Sequence, residues 1–329
     1  LASPSLAGWD GFGLAIQSYQ KRALAVIDWV EALATRLDRR LMVRLVKGAY
    51  WDTEVKRAQE RGLADFPVFT RKPMTDLNYM ACARRMLAAR PRLYPQFATH
   101  NALTIATILE EAGGAAGFEF QRLHGMGEAL YAEVARTTGK HCRIYAPVGP
   151  AKSLLSYLIR RILENGANSS FVHGLMNENI SASQLIELPF DYQESFIPLP
   201  ARLYPNRKNS HGWDLGNLPH LETLTGMLKT GLPPAPPEAP VTACEIAFRQ
   251  ARQSFPQWKT TPVEERAACL ERLAELYQAH EAELVSLCVH EAGKTLADAV
   301  SEVREAIDYC YYYAMEARRI FAPRLLADR

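Results

Sequence analysis

Between Gly11 and Gly166 one pattern recurs five times: a short apolar run, a turn, then an amphipathic segment. The runs are Gly13–Tyr19, Leu41–Lys47, Tyr94–His100, Phe118–His124 and Cys142–Val148. Helical periodicity follows at 22–37, 76–89, 101–112, 128–138 and 152–165. A strand that returns through a helix meets the next strand in parallel, with a right-handed crossover. The pattern therefore allows an open doubly wound sheet or part of a (β/α)8 barrel. No Gly-x-Gly-x-x-Gly turn follows any run, which weighs against a dinucleotide-binding sheet. Polar residues gather at the carboxyl ends of the runs, at Gln17, Arg44, Lys47, Thr99, His100, Gln121, His124 and Tyr145. A barrel keeps its active site at that end. The expectation is α/β, with residues 1–175 supplying about five C-terminal βα units of a (β/α)8 TIM-type barrel whose other strands lie outside this chain.

The regularity fails over 176–241, which reads as an irregular Pro-rich linker containing Pro198, Pro200, Pro205 and the stretch Gly231–Pro240. From 242 to 329 the chain reads as helical, with segments at 242–254, 262–280, 282–291 and 296–320. Thr261-Pro-Val-Glu264 has the spacing of a capping box. No strand is visible to close a second core. The chain opens on Leu1-Ala-Ser-Pro rather than methionine, and we read it as a piece of a longer polypeptide.

Composition excludes several classes. The net charge is +2, interspersed, without a basic block, so no nucleic-acid partner is expected through this segment. Six cysteines at irregular spacing form no Cys-x-x-Cys pair, which speaks against zinc fingers and disulfide frameworks and for a reducing, cytoplasmic setting. No run approaches the ~18 apolar residues of a membrane span.

Arg44 is the first candidate site residue, because a guanidinium inside an apolar strand costs several kcal/mol unless an anionic or polar partner meets it. Lys47 differs from it in strand parity and belongs to the rim at the Gly48 turn, where an anion near the Lys47-Gly48-Ala49 backbone would suit it. A solvated lysine at a strand end is the alternative. In the segment 154–165, Leu154, Leu155, Leu158, Ile159, Ile162 and Leu163 fill one half of a helix, and Tyr157, Arg160, Arg161 and Glu164 share the other side. Two adjacent guanidiniums can hold an anionic substrate bidentately while Glu164 fixes one of them. A solvated face with one i,i+4 pair fits the same spacing. His100 and His124 admit a metal reading, but no His-x-His pair or nearby carboxylates accompany them, so no metal is expected. Gln17 and Gln121 are buried amides that must pair with neighbours or a heteroaromatic edge. Tyr50, Trp51 and Tyr145 are either core or stacking faces for a flat cofactor.

Seven blocks in order complete the picture: Gln17-Ser-Tyr-Gln-Lys-Arg22, Arg44-Leu-Val-Lys-Gly-Ala-Tyr-Trp-Asp52, Pro67-Val-Phe-Thr-Arg-Lys72, Pro95-Gln-Phe-Ala-Thr-His-Asn101, Leu123-His-Gly-Met-Gly-Glu128, Cys142-Arg-Ile-Tyr-Ala-Pro-Val-Gly149 and Tyr157-Leu-Ile-Arg-Arg-Ile-Leu-Glu-Asn-Gly-Ala-Asn168. With them the first 175 residues resemble the proline dehydrogenase domain of the bifunctional proline utilisation A (PutA) flavoenzymes. The tail resembles the start of an aldehyde dehydrogenase domain, through Phe255-Pro-Gln-Trp258, Thr261-Pro-Val-Glu-Glu-Arg266 and Glu291-Ala-Gly-Lys-Thr295.

The resemblance implies FAD across the barrel mouth, touching Gln17, Arg44, Lys47, Gly48, Ala49, Trp51, Thr99, His100, Gln121 and Glu164. It implies L-proline held by Arg160 and Arg161, with Tyr50, Leu123 and Tyr145 as apolar walls and Glu164 supporting the arginines. Arg44, Tyr145, Arg160 and Arg161 would be the catalytic set. It further implies a quinone acceptor, contact with the inner-membrane surface, a homo-oligomer, the remainder of the parent polypeptide as partner, and NAD for an aldehyde dehydrogenase domain whose binding fold is absent from this chain. Two departures stand out. The family's substrate-contacting lysine and flavin-side aspartate would lie upstream of Leu1, and strands expected between Gly231 and Cys244 are missing. The rivals are a metal-dependent barrel hydrolase using His100 and His124, and a catalytically incomplete assembly segment that docks through its helical tail.

Overall fold

The computed structural model describes residues 2–6, 8–114, 116–140, 142–166, 197–229 and 237–322, and in the helix that ends at Gly166 it describes side chains as far as Arg161. The expected linker over 176–241 and the motif ending at Asn168 therefore lie partly outside the described residues, and the side chain of Glu164 wholly so. The described chain clusters into two compact units, residues 1–55 with 67–196, and 56–66 with 197–329.

In the first unit five strands form one sheet: β1 (Gly13–Gln17), β2 (Leu41–Val46), β3 (Leu93–Ala98), β4 (Glu119–Leu123) and β5 (Cys142–Tyr145). Their order is β1-β2-β3-β4-β5 and every pairing is parallel. A doubly wound sheet reverses direction at a switch point, whereas this one never does. That sequential order decides for the barrel type. The strands are shorter than the apolar runs because Ser18, Tyr19, Lys47, Thr99 and His100 fall in the turns beyond them.

Helices α1 (Ala23–Arg36), α2 (Trp51–Glu60), α3 (Lys72–Ala88), α4 (Ala102–Ala112), α5 (Glu128–Thr138) and α6 (Ala151–Gly166) follow the strands. Alternation in β2 sends Leu41, Val43 and Leu45 to one face and Met42, Arg44 and Val46 to the other. The first face meets Ile27 and Val30 of α1, Tyr79 and Met86 of α3, and Ile105 and Ile108 of α4, forming the core. Phe97, Phe118, Phe120 and Tyr131 add an aromatic cluster of edge-to-face and tilted rings. Each such side chain contributes about 1.5–3 kcal/mol of burial.

Two expectations are corrected along these helices. The sequence reading holds no helix at 51–60, yet α2 forms there, with Asp52 and Glu54 in its first turn where the helix dipole favours carboxylates. Helix α3 starts at Lys72 rather than 76, with Pro73 in its first turn, where a missing N–H costs nothing.

The second unit is helical among the described residues: α7 (Leu218–Met227), α8 (Val241–Thr260), α9 (Val263–Ala279), α10 (Glu281–His290) and α11 (Leu296–Ile320). Leu224, Ala274, Val285, Ala299, Val303 and Ile307 form its core. Helix α7 lies in the stretch read as irregular. The expected helix 242–254 runs on to Thr260 through Pro256. The capping box does not form, because the Thr261 hydroxyl donates back to the Gln257 carbonyl of α8 (3.1 Å) and Pro262 takes the cap position of α9.

Candidate active site

At the carboxyl ends of the strands the first unit has a cavity of about 400 Å³. Gln17, Arg44, Lys47, Gly48, Ala49, Tyr50, Thr99, His100, Leu123, Tyr145 and Arg161 all line it, so residues scattered over 145 positions of sequence meet in one place. Lys72, Asn101, Met126 and Tyr157 also line it, as do the small side chains Ala15 and Ala98. Among its described lining residues four are cations and none is a carboxylate. The site is built for an anion.

Arg44 stands on the face of β2 opposite the core, level with Ala15 of β1 and Gln96 of β3. Its guanidinium lies over the Tyr145 ring, 4.5 Å from the centroid. Its Nε is buried and has no hydrogen-bond partner among the described residues. A cation–π contact returns about 0.5–2 kcal/mol, less than the several kcal/mol a buried charge costs. The deficit implies a ligand.

Lys47 escapes the parity conflict because β2 ends at Val46. Its ammonium pairs with Asp76 of α3 (2.5 Å), which also takes Lys72 (3.0 Å). One carboxylate thus fixes two lining lysines. The turn itself needs Gly48, whose φ is +130° and where a Cβ would lie 2.5 Å from the Tyr19 ring. Tyr19 is buried, and burial together with Glu54 pushes its phenol up to about 12.

Asn101 caps α4 by accepting from the Thr104 N–H (2.9 Å), which holds Thr99 and His100 at the strand end. His100 Nε2 accepts from the Leu123 N–H (3.2 Å), and burial, then the nearby Arg122, holds the imidazole below its ordinary range. One of the two ring nitrogens is thereby engaged.

Three sequence candidates, Gln121, Trp51 and Arg160, sit apart from the cavity lining. Gln121 donates to Glu119 (2.8 Å), which also accepts from Gln96 (2.9 Å) and bidentately from Arg143 (2.7 and 2.8 Å). Burial raises the Glu119 pKa, but the Arg143 and Gln121 hydrogen bonds outweigh it and the net shift is downward. Trp51 donates to the Phe69 carbonyl (2.8 Å). Arg160 lies over the Tyr50 ring, 5.1 Å from its centroid. The Glu164 side chain lies outside the described residues. On α6 the polar arc, not the apolar half, meets the cavity, through Tyr157 and Arg161, while Leu155 and Ile159 are exposed.

The lining fits a flat anionic cofactor of the flavin kind: a guanidinium with a buried, orphaned Nε, alanine and glycine floors, and Tyr50, Tyr145 and Tyr157 as faces. Fold and site together define a TIM-type α/β protein with a cationic, aromatic cavity at the strand ends. Comparison with known proteins narrows the class. Residues 1–174 match the proline dehydrogenase family, and residues 235–327 match the aldehyde dehydrogenase family. The chain belongs to the proline dehydrogenase family and continues into the start of an aldehyde dehydrogenase domain.

The bifunctional protein PutA of Escherichia coli is 44% identical over 375 aligned positions, covering 97% of this chain and 28% of that protein. The chain thus spans about 28% of that relative's length. The aligned stretch is longer than the chain's 329 residues, so the relative carries segments that this chain lacks. A crystal structure of a Bradyrhizobium japonicum PutA variant superimposes with a TM-score of 0.87 at 53% identity, covering 100% of this chain and 34% of that one. PutA from Bdellovibrio bacteriovorus, inactivated by N-propargylglycine, gives 0.80 at 28% identity, covering 100% and 38%.

Proposed function

We propose that the first unit is the cofactor- and substrate-holding part of an FAD-dependent oxidoreductase that converts L-proline to 1-pyrroline-5-carboxylate, on the way from proline to glutamate. The single observation that carries this reading is Arg44, a part-buried cation with a buried, orphaned Nε on the wall of a cavity lined, among the described residues, by four cations and no carboxylate. The second unit then begins the NAD-dependent domain that oxidises glutamate semialdehyde in the same polypeptide.

Each described residue has a task in this reaction. Arg161, within the cavity, and Arg160, held over Tyr50, grip the substrate carboxylate through charge-assisted bonds. Tyr50, Leu123 and Tyr145 enclose the ring and exclude water. When bound, the flavin supplies the hydride acceptor for the hydrogen on the carbon next to the proline nitrogen, while the nitrogen gives up its proton. Arg44 holds a fixed positive charge where electron density arrives. Gln17, Gly48, Ala49, Thr99 and His100 complete the cofactor side, and Lys47 with Lys72 attracts its anionic portion. No protein nucleophile is required.

The Bdellovibrio relative is inactivated by N-propargylglycine, an amino acid as proline is, which supports an amino-acid substrate. The PutA resemblance also supports a quinone acceptor, peripheral contact with the inner membrane, a cytoplasmic site and a homo-oligomer. No helix among the described residues is long and apolar enough to cross a membrane. Arg161→Met tests the clamp in steady-state kinetics. The apparent proline requirement should rise roughly 10–100-fold, the worth of one charge-assisted pair. An unchanged requirement removes Arg161 from the clamp.

A further inference from the structure

Asp76 stands outside the cavity lining, yet it holds two of the residues inside it. Its Oδ1 pairs with Lys47 (2.5 Å), and its Oδ2 accepts from Lys72 (3.0 Å). Lys47 comes from the turn after β2 and Lys72 opens α3, and both line the cavity. Left alone, two ammoniums near one space repel, and each keeps the rotamer freedom of a long flexible stem. One shared carboxylate offsets both effects. Two cations less one anion leave a single net positive charge at the rim.

The carboxylate is anchored at its base. On α3 beside it, Asn78 donates to the Ser18 carbonyl (2.7 Å), and the Ser18 hydroxyl donates back to the Thr75 carbonyl (3.5 Å). The next amide, the Tyr19 N–H, donates to the Lys47 carbonyl (2.8 Å). Asp76 and the Lys47 turn are thus tied to the same short segment after β1.

The cations of the cavity meet two different kinds of neighbour. Arg44 and Arg161 lie over the Tyr145 and Tyr157 rings, 4.5 and 5.0 Å from the centroids, whereas Lys47 and Lys72 meet a carboxylate. A planar guanidinium suits a carboxylate or a flat ring, while a compact ammonium serves a phosphate as a point charge. We propose that Asp76 is a positioning residue: it sets Lys47 and Lys72 as a matched pair for the phosphate groups of FAD, and touches no ligand itself. The proposal rests on the flavin reading of the cavity.

Two variants test it by affinity for FAD and for riboflavin. Asp76→Asn keeps the shape and removes the charge, whereas Asp76→Glu keeps the charge. FAD affinity should fall about tenfold in Asp76→Asn, although that variant has gained positive net charge, and by less than about threefold in Asp76→Glu. Riboflavin, which has no phosphate, should bind the parent and both variants within about twofold of one another. Unchanged or tighter FAD binding in Asp76→Asn would mean that net charge alone attracts the cofactor, and overturns the positioning role. Equal losses for FAD and riboflavin would make Asp76 a support of the fold, and overturn it as well. If the parent takes up no flavin, the flavin reading fails, and inorganic pyrophosphate titrated by calorimetry decides the phosphate pair by itself. Tighter pyrophosphate binding by the parent than by Asp76→Asn sustains the pair, and equal or absent binding overturns it.

Discussion

Gly48 in the turn after β2 and Arg44 within β2 make opposite demands on the fold. Gly48 must adopt a φ that side chains rarely take, and the Tyr19 ring occupies the space where a Cβ would go. Gly48→Ala should therefore cost at least about 1–3 kcal/mol from backbone strain alone, read as a lower urea midpoint at unchanged slope. An unaltered midpoint would mean that the turn relaxes freely. Arg44 behaves in the reverse sense. Its guanidinium is part-buried with a buried Nε unsatisfied among the described residues, so it burdens the fold until a ligand arrives. Arg44→Met, similar in reach and without charge, should leave the melting temperature of the flavin-free protein equal or higher while lowering FAD affinity at least about tenfold. A lower melting temperature with intact FAD affinity would make Arg44 a structural residue.

At the level of elements, the starts of helices and the faces of strands set the site. The Asn101 cap joins β3 to α4, and removing it in Asn101→Ala should cost about 1 kcal/mol and loosen Thr99 and His100 beside it. Circular dichroism melts with and without FAD would register both effects, and equal stability of variant and parent would discount the cap. Glu119 ties β3, β4 and β5 together through Gln96, Gln121 and Arg143. Its folded-state pKa lies below the ordinary 4.5, so the stability it contributes is present above about that pH and is lost as pH falls through the folded value. Glu119→Gln should flatten that acid limb in unfolding measurements, and an unchanged limb would assign it to other carboxylates.

Much of this was legible in the strands. Alternation around Arg44 separates core from cavity, and the rim position of Lys47 follows from its parity. The pairing of Gln121 with Glu119 escaped, although residues two apart on one strand share a face, because a buried amide by itself does not name its partner. Helix α2 escaped because its cue was only Asp52 and Glu54 after an aromatic turn. The exposure of Leu155 and Ile159 could not be foreseen, since an apolar half of a helix ordinarily faces a core.

For the whole molecule, the matches at 1–174 and 235–327 assign its two parts to two enzyme families, and the proposed chemistry is concentrated in the first. The lining of the cavity comes from the ends of all five strands and from α6, so its shape depends on the sheet rather than on any one loop. The most direct test is the visible absorbance of the purified protein with FAD, followed between roughly 350 and 500 nm as L-proline is added. A bound flavin band should bleach with proline, and in Arg161→Met it should do so only at much higher proline. A protein that takes up no flavin, or a band that proline leaves unchanged, would contradict the proposed function.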